Sequence, residues 1–452
     1  MKKIASDLSL ALITLLSHLP FLSEGYGREF DAWSNVLNAK IISANGQYEV
    51  SRLPGHPLQE FLLSALYPYF HQAFFFNLLS ALAAVAAVLI TSSSLRKLNL
   101  PSFWPAFCLA FTPALFLAAG SIMDYTFALA FIMGSFNRLL KKQYLWAGLL
   151  LGLATGFRIS SLTLALPFFI MLRGQLSLRQ WFFYGLSAFL MGGIFYLPAF
   201  FTYGWAFLDF HKPPFPGWAS VLYKLSFGLW GLPLLLFIPI SLFFPAKEAW
   251  PASFKKPNWW WGLLIIFLLQ AMVFARLPFK SEFFIPFLPF FWISLGAYLQ
   301  RRLWPWLAGA AVAGVFLFGF DYHNPWRGAK PGVAALKFTA GGKSVFFDPL
   351  KGPALLDREK RRNKSLTIKA ARAKLKASPG KIWLISGWYW PELELKAYPE
   401  RHHSDHYSSQ RELDSARAAG YQIRYLPEID QQNQIMEGHY LADSLGKDLL
   451  QP

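Results

Sequence analysis

The sequence predicts an all-α polytopic membrane protein of about 11 spans, followed by a small C-terminal α/β domain. Three observations carry that prediction. Of the 452 residues 54% are hydrophobic, 18% aromatic and only 15% charged, a balance no soluble core requires. The apolar residues gather in repeated runs of about 15 to 24, the length at which a helix crosses a bilayer. Beyond residue 320 these runs stop, and short strand-like and helix-like segments replace them.

The spans fall near 4–22, 71–93, 102–119, 124–140, 143–157, 159–172, 180–203, 222–245, 258–275, 281–299 and 303–320. The first follows Lys2 and Lys3 and has the outline of a signal peptide, but it lacks a small-x-small cleavage site and further spans follow, so it reads as a retained anchor. Alternate connections are basic: Lys2/Lys3, Arg96/Lys97, Arg138/Lys141/Lys142, Arg173/Arg179, Lys247/Lys255/Lys256 and Arg301/Arg302. Positive charge marks the cytoplasmic side, which puts the N-terminus inside and residues 23–70 in a long outer loop. That alternation holds only if 143–172 is two segments meeting near Arg158 on the outer side. One long tilted helix there would invert everything after it.

The domain division expected is 1–320 for the transmembrane part and 321–452 for an extracytoplasmic α/β part. The latter shows strand-like "KSVFF" and "KIWLISGWYW", a helix-to-strand pattern in "RELDSARAAGYQIRYL", and breaks at "NPWRGAKPG" and "GG". Neither a parallel nor an inverted internal repeat is visible. The net charge of +18 divides between the two parts: 22 basic against 10 acidic residues up to 320, and 21 against 15 after it. The first excess sits mostly in short loops, where it sets topology, so nucleic acid is a poor explanation of it. Cys108 is the only cysteine; one chain can form no disulfide and no cysteine-based metal site.

The chemistry-bearing residues gather in the outer connections. From Phe30, apolar residues recur at Trp33, Val36, Leu37, Ile41 and Ala44, the spacing of a helix lying along the membrane surface. Asp31, Asn35 and Asn38 share its other face. That face is either simply solvated or holds a carboxylate at the membrane rim to take a proton from an acceptor hydroxyl. "SRLPGHPL" then makes a rigid turn carrying Arg52 and His56, either a plain turn or part of a site. Asp124 opens the fourth span, where a carboxylate is costly unless it works, although the helix dipole also favours an acid there. Arg158 ends "GLLLGLATGFR" and either snorkels or binds a lipid phosphate, while Gly148, Gly152 and Gly156 at four-residue spacing read as helix packing. "RLPFKSEFFIPFLPFF" sets Arg276, Lys280 and Glu282 between two spans, as interfacial anchors or as a phosphate clamp. "RHHSDH" (401–406) reads as a solvated loop before a metal site.

Taken in order, these pieces resemble the GT-C superfamily of membrane glycosyltransferases, in particular the protein O-mannosyltransferases and aminoarabinose transferases, over roughly residues 1–300. The resemblance rests on the acidic first outer loop (Glu29, Asp31), "RLPGHPL", "FFFNLLSALAAVAAVL", the acid opening the fourth span (Asp124), "AGLLLGLATGFR" and "PFKSEFFIPFLPFF". Two departures stand out. The family often shows two adjacent acids in the first loop, here split by Phe30, and the usual Arg-Tyr of the last motif is Glu282-Phe283.

The resemblance implies an integral-membrane enzyme of the bacterial inner membrane moving a sugar from a polyprenyl-phosphate donor to an acceptor hydroxyl on the outer face, with inversion. Asp31 is the implied general base, with Glu29 as the alternative. Arg52, His56, Asp124, Arg158, Arg276, Lys280 and Glu282 are the implied substrate-binding set. Lipids and the donor are the expected partners; the acceptor stays open among protein, lipid and glycan. No cofactor is required, with a divalent cation left open. A flippase for lipid-linked sugars and a non-catalytic scaffold are the rival readings.

Overall fold

Proline and charge placement decide where the helices of this chain break. The structure is a computed structural model that describes residues 2–208, 215–246, 251–322, 329–340, 343–396, 399–406, 408–426 and 443–444. Lys247 of the expected basic connections, residues 324–328 and the 341–342 glycine pair lie outside the described residues.

Four helices are long and apolar enough to cross a membrane: Lys3–Phe21, Ala73–Lys97, Leu178–Leu208 and Pro257–Arg276. The number rises to 6 if each of two bent pairs counts as one span. Among the described residues, length and composition thus support four to six spans rather than the full 11.

The differences have local causes. The run expected at 102–119 is two helices, Phe103–Ala110 and Pro113–Ala119. Thr112 is extended before Pro113 (φ −72°, ψ 122°), because a proline disfavours helical backbone at the residue preceding it. The run at 222–245 is bent by 58° between Trp218–Leu225 and Phe227–Leu242, with Gly231 in the left-handed region (φ 70°) inside the second helix. The last two runs shorten to Leu288–Tyr298 and Trp304–Phe316. At Arg158 the chain breaks as expected: helix Tyr144–Phe157 ends, Arg158 is extended (φ −150°, ψ 115°), and Ile159–Met171 follows.

The three glycines of the 144–157 helix lie against helix Leu178–Tyr203. A Cβ on Gly152 would stand 2.4 Å from the Met191 Cβ and 2.9 Å from the Ala188 carbonyl oxygen, so the two backbones approach as close as they do only without side chains.

Charge sorts the two ends of the bundle. Arg96 pairs with Asp7 of the first helix at 2.7 Å, and Lys97 donates to the Asn137 carbonyl at 3.0 Å. Lys3, Arg96, Lys97, Arg138 and Lys141 thereby gather at one end. Asp124 and Arg138 stand near opposite ends of the same 16-residue helix, about 24 Å long at 1.5 Å per residue. The acidic end is thus separated from the basic end by most of a bilayer core.

The C-terminal part holds two small sheets. Strands β1 (Gly319–Tyr322), β2 (Leu336–Ala340) and β3 (Lys343–Asp348) form an antiparallel sheet in the order β1-β3-β2. Strands β4 (Ile382–Ile385), β5 (His403–Asp405), β6 (Gln422–Tyr425) and β7 (Asp443–Ser444) form a parallel sheet in the order β5-β4-β6-β7. The strand-like "KIWLISGWYW" keeps strand geometry only over Ile382–Ile385, after which Gly387–Tyr389 curl into a short turn of 3₁₀ helix. Between the sheets runs a 25-residue helix, Pro353–Ala377, whose polarity hid it from an apolar scan. It packs against helices Pro113–Ala119 and Trp304–Phe316 and is held there by Arg361, which donates to the Gly120 carbonyl at 2.7 Å.

Candidate active site

Five chain segments meet at the acidic end, each delivering a charge from a helix terminus or a turn. The outer loop forms the expected helix, Phe30–Asn45, called here the rim helix. Its polar face is not solvated. Asn35 and Asn38 are buried and donate to the carbonyls of Ile122 (3.3 Å) and Glu49 (2.6 Å). Asn35 and Asn38 are therefore packed rather than solvated. Asp31 stands in the first helical turn, where the positive end of the helix dipole favours a carboxylate.

The turn after the rim helix is fixed by an acid the sequence reading passed over. Glu60 is fully buried and accepts from the Ser51 amide at 2.8 Å, the Ser51 hydroxyl at 2.7 Å and the Tyr48 hydroxyl at 2.6 Å. Its only sequence signal was a charge inside an otherwise apolar helix start. These bonds aim the neighbouring Arg52 inward.

Arg52 then bridges two carboxylates, with Nη2 2.6 Å from Asp124 and Nη1 3.5 Å from Asp31. Asp124, at 0% exposure, also receives Arg158. The Arg158 guanidinium lies 4.2 Å from the ring centre of Tyr125 and 5.5 Å from that of Phe283. A charge this deep persists only because two guanidiniums neutralise it. Asp124 is thus the hub that orients Arg52 and Arg158.

His56 serves the same hub. Its Nδ1–H donates to the Phe157 carbonyl at 2.7 Å, and the same nitrogen is 3.6 Å from Asp124. Burial pushes the imidazole down to about 4, with Asp124 pulling the other way and Arg52 and Arg158 adding to the fall. The ring is therefore neutral at pH 7 and ties the Arg52 turn to the end of the 144–157 helix.

Lys280 completes the cluster. Its ammonium contacts both Asp31 and Glu29. Burial raises the Asp31 carboxyl, but Lys280 and then Arg52 outweigh it and hold it well below the usual carboxylate range. Glu29 is lowered for a similar reason: Lys280 and Arg28 overcome the opposing effects of burial and of Asp31. Asp31 keeps 24% of its side chain exposed, and Lys280 17%. Asp124 is sealed, whereas Asp31, Lys280, Glu29 and Arg52 each keep part of their side chains open to a reactant.

Arg276 is exposed at the end of helix Pro257–Arg276. Glu282 is half-buried, with Glu29, Lys224 and Arg28 as its charged neighbours.

Among the described residues no group of three His, Cys, Asp or Glu side chains is placed to hold a metal. The "RHHSDH" histidines separate: His402 is buried, His403 lies against Trp383 at 4.0 Å, and His406 stacks on Phe30 at 4.9 Å. Two concavities among the described residues are lined by side chains other than those of the cluster. One is an apolar groove of about 600 Å³ lined by Trp104, Phe107, Pro305 and Val312, and the other a basic hollow of about 370 Å³ lined by Glu24, Arg362, Lys369, Arg372 and Lys396.

The sequence matches no family model and no curated protein. Its fold is similar to that of ArnT from Cupriavidus metallidurans in the apo state, with a TM-score of 0.58 and 12% identity over 100% of this chain and 99% of that one. The same ArnT bound to undecaprenyl phosphate is similar at a TM-score of 0.56 and 11% identity, over 100% and 99% of the two chains. At such identities the likeness is one of fold. The GT-C fold expected from the order of the sequence motifs is the fold of this chain.

Proposed function

We propose that this chain is an inverting glycosyltransferase of the bacterial inner membrane, moving a sugar from a polyprenyl-phosphate donor to an acceptor hydroxyl. The observation that carries the reading is the open end of the cluster. Asp31, partly exposed, stands beside Lys280 and Arg52, with Arg158 behind them on the sealed hub of Asp124. The fold adds support, because the similar ArnT is described bound to undecaprenyl phosphate.

In this proposal the donor phosphate enters as a competitor for Lys280. While Lys280 holds Asp31, the carboxylate is a weak base; a phosphate taking that ammonium raises its basicity as the donor arrives. The acceptor oxygen attacks the anomeric carbon as the bond from that carbon to the phosphate oxygen breaks. The hydroxyl proton passes to Asp31, and the bonding pair leaves with the polyprenyl phosphate. Lys280, Arg52 and Arg158 stabilise the charge that grows on the phosphate, so no metal is required. Glu29 shares Lys280 but lacks the link through Arg52 to the hub, which favours Asp31 as the base.

The proposal places the N-terminus in the cytoplasm and the site and C-terminal domain outside, with the gathered basic end of the bundle as its support. Eleven crossings remain part of it, with short and broken helices making up those beyond the long ones. Purified protein supplied with a panel of polyprenyl-phosphate sugars tests the reading. Release of free polyprenyl phosphate together with a glycosylated acceptor is expected; translocation of the intact donor without its cleavage would point to a flippase instead.

A further inference from the structure

Asp31 and Glu29 sit at a helix end with little of its own to hold it. Glu29 is the N-cap of the rim helix, and its side chain makes no capping hydrogen bond. An uncapped first turn frays readily, since its first four N–H groups have no helical partner. A base in that turn needs support from elsewhere.

The support comes from some 360 residues further along the chain. Phe30, between the two acids, is held against two rings of the C-terminal domain. Trp388 meets it edge-on at 5.5 Å and 86°, and His406 stacks on it at 4.9 Å and 28°. Trp388 and His406 also touch each other at 5.4 Å, closing a three-ring group.

Both gripping residues are placed by the parallel sheet. Trp388 follows the end of β4 and His406 the end of β5, and the Gly387 amide donates to the His406 carbonyl at 3.0 Å. Asp405 fixes the same corner by accepting from the His406 amide at 2.7 Å and the Ser408 hydroxyl at 2.8 Å. The C-terminal ends of parallel strands are where such sheets ordinarily hold a ligand. Here that edge holds Phe30. The same domain also touches the rim helix elsewhere, with Lys364 and Lys396 each 5.5 Å from the Trp33 ring centre and Lys40 donating to the Glu394 carbonyl at 3.4 Å.

We propose that Phe30, Trp388 and His406 form an aromatic clamp by which the C-terminal domain positions the Asp31 carboxylate, making that domain part of the transfer machinery. The proposal rests on Asp31 being the base. None of the three rings is a catalytic residue; each acts through the backbone that carries Asp31. It also gives "RHHSDH" a task other than metal binding.

Transfer kinetics of the full-length protein in detergent test this, using Phe30→Ala, Trp388→Ala and His406→Ala beside Asp31→Asn. A displaced base weakens the transition state more than donor binding. The expected result is a fall in kcat on the order of 10- to 100-fold with donor KM changed about threefold or less. Phe30→Trp and His406→Phe keep a ring in place and should recover most of the rate, which a generally loosened fold would not. Trp388 and His406 lie outside the rim helix, so their variants report even if Phe30→Ala does not fold. Wild-type kcat in folded Trp388→Ala and His406→Ala, with Asp31→Asn inactive, overturns the clamp alone. An active Asp31→Asn overturns the assignment of the base, and the clamp with it.

Discussion

Replacing Lys280 with Gln removes the ammonium that holds Asp31 ionised, and the size of the effect follows from the geometry. Lys280 contacts Asp31 and Glu29 together, and Arg52 stands 3.5 Å from Asp31 on the other side. Two unit charges about 4 Å apart interact by ~4 kcal/mol at an effective dielectric near 20. Asp31 is 24% exposed and Arg52 remains in the variant, so roughly half or more of that is lost to solvent and to the surviving cation. The remaining ~1–2 kcal/mol is about one pKa unit at 1.36 kcal/mol per unit. The sign is fixed: Lys280 depresses the Asp31 pKa, so its loss raises it and the Asp31 carboxylate is protonated at a higher pH. The assay is the pH dependence of kcat/KM, which reports the free enzyme. The acid limb of Lys280→Gln should lie about one pH unit above that of the wild type, on top of a general loss of activity from weaker phosphate binding. An acid limb at the wild-type position, in a variant whose thermal midpoint shows it folded, would refute the coupling of Lys280 to the base.

Two further expectations concern the buried hub. Asp124→Ala leaves Arg52 and Arg158 buried without their shared carboxylate, which costs about 3–5 kcal/mol; thermal unfolding in detergent should show a clearly lowered midpoint, and an unchanged one would contradict the hub. His56 is held near 4 in the folded protein against an ordinary 6.5, so the unfolded chain takes up a proton first as pH falls. Stability from this group is complete above pH 6.5 and is lost towards pH 4, by up to about 1.4 kcal/mol per pH unit. His56→Gln should flatten the dependence of the midpoint on pH across that window, and an equally steep dependence would exclude the neutral, buried imidazole.

Local patterns carried much of this site. The 3.6-residue recurrence of Trp33, Val36, Leu37 and Ile41 located the rim helix, and the intramembrane acid and the break at Arg158 located two more members of the cluster. What the sequence hid depends on distant partners. Asn35 and Asn38 look like a wet face until the carbonyls of Ile122 and Glu49 meet them. Arg276 and Lys280 look equivalent in sequence, yet the helix ends at Arg276 and the following turn carries Lys280 onto Asp31 and Glu29. Pro113 was a visible break inside the 102–119 run, overridden there by hydropathy. The helix Pro353–Ala377 is too polar to read as a span, and its Ile368, Ala371 and Leu375 pack on the parallel sheet rather than in lipid. The grip on Phe30 joins residues more than 350 positions apart, a pairing no local periodicity encodes.

The most direct test of the central claim is sugar transfer by Asp31→Asn. The substitution keeps the side chain's shape and removes its charge and its capacity to accept a proton. Measured on purified protein with a polyprenyl-phosphate sugar that the wild type consumes, turnover should fall by at least two orders of magnitude, the scale of a lost general base. The thermal midpoint should show that the variant is folded, and Glu29→Gln should retain far more activity than Asp31→Asn. Wild-type turnover by folded Asp31→Asn would contradict the account at its centre.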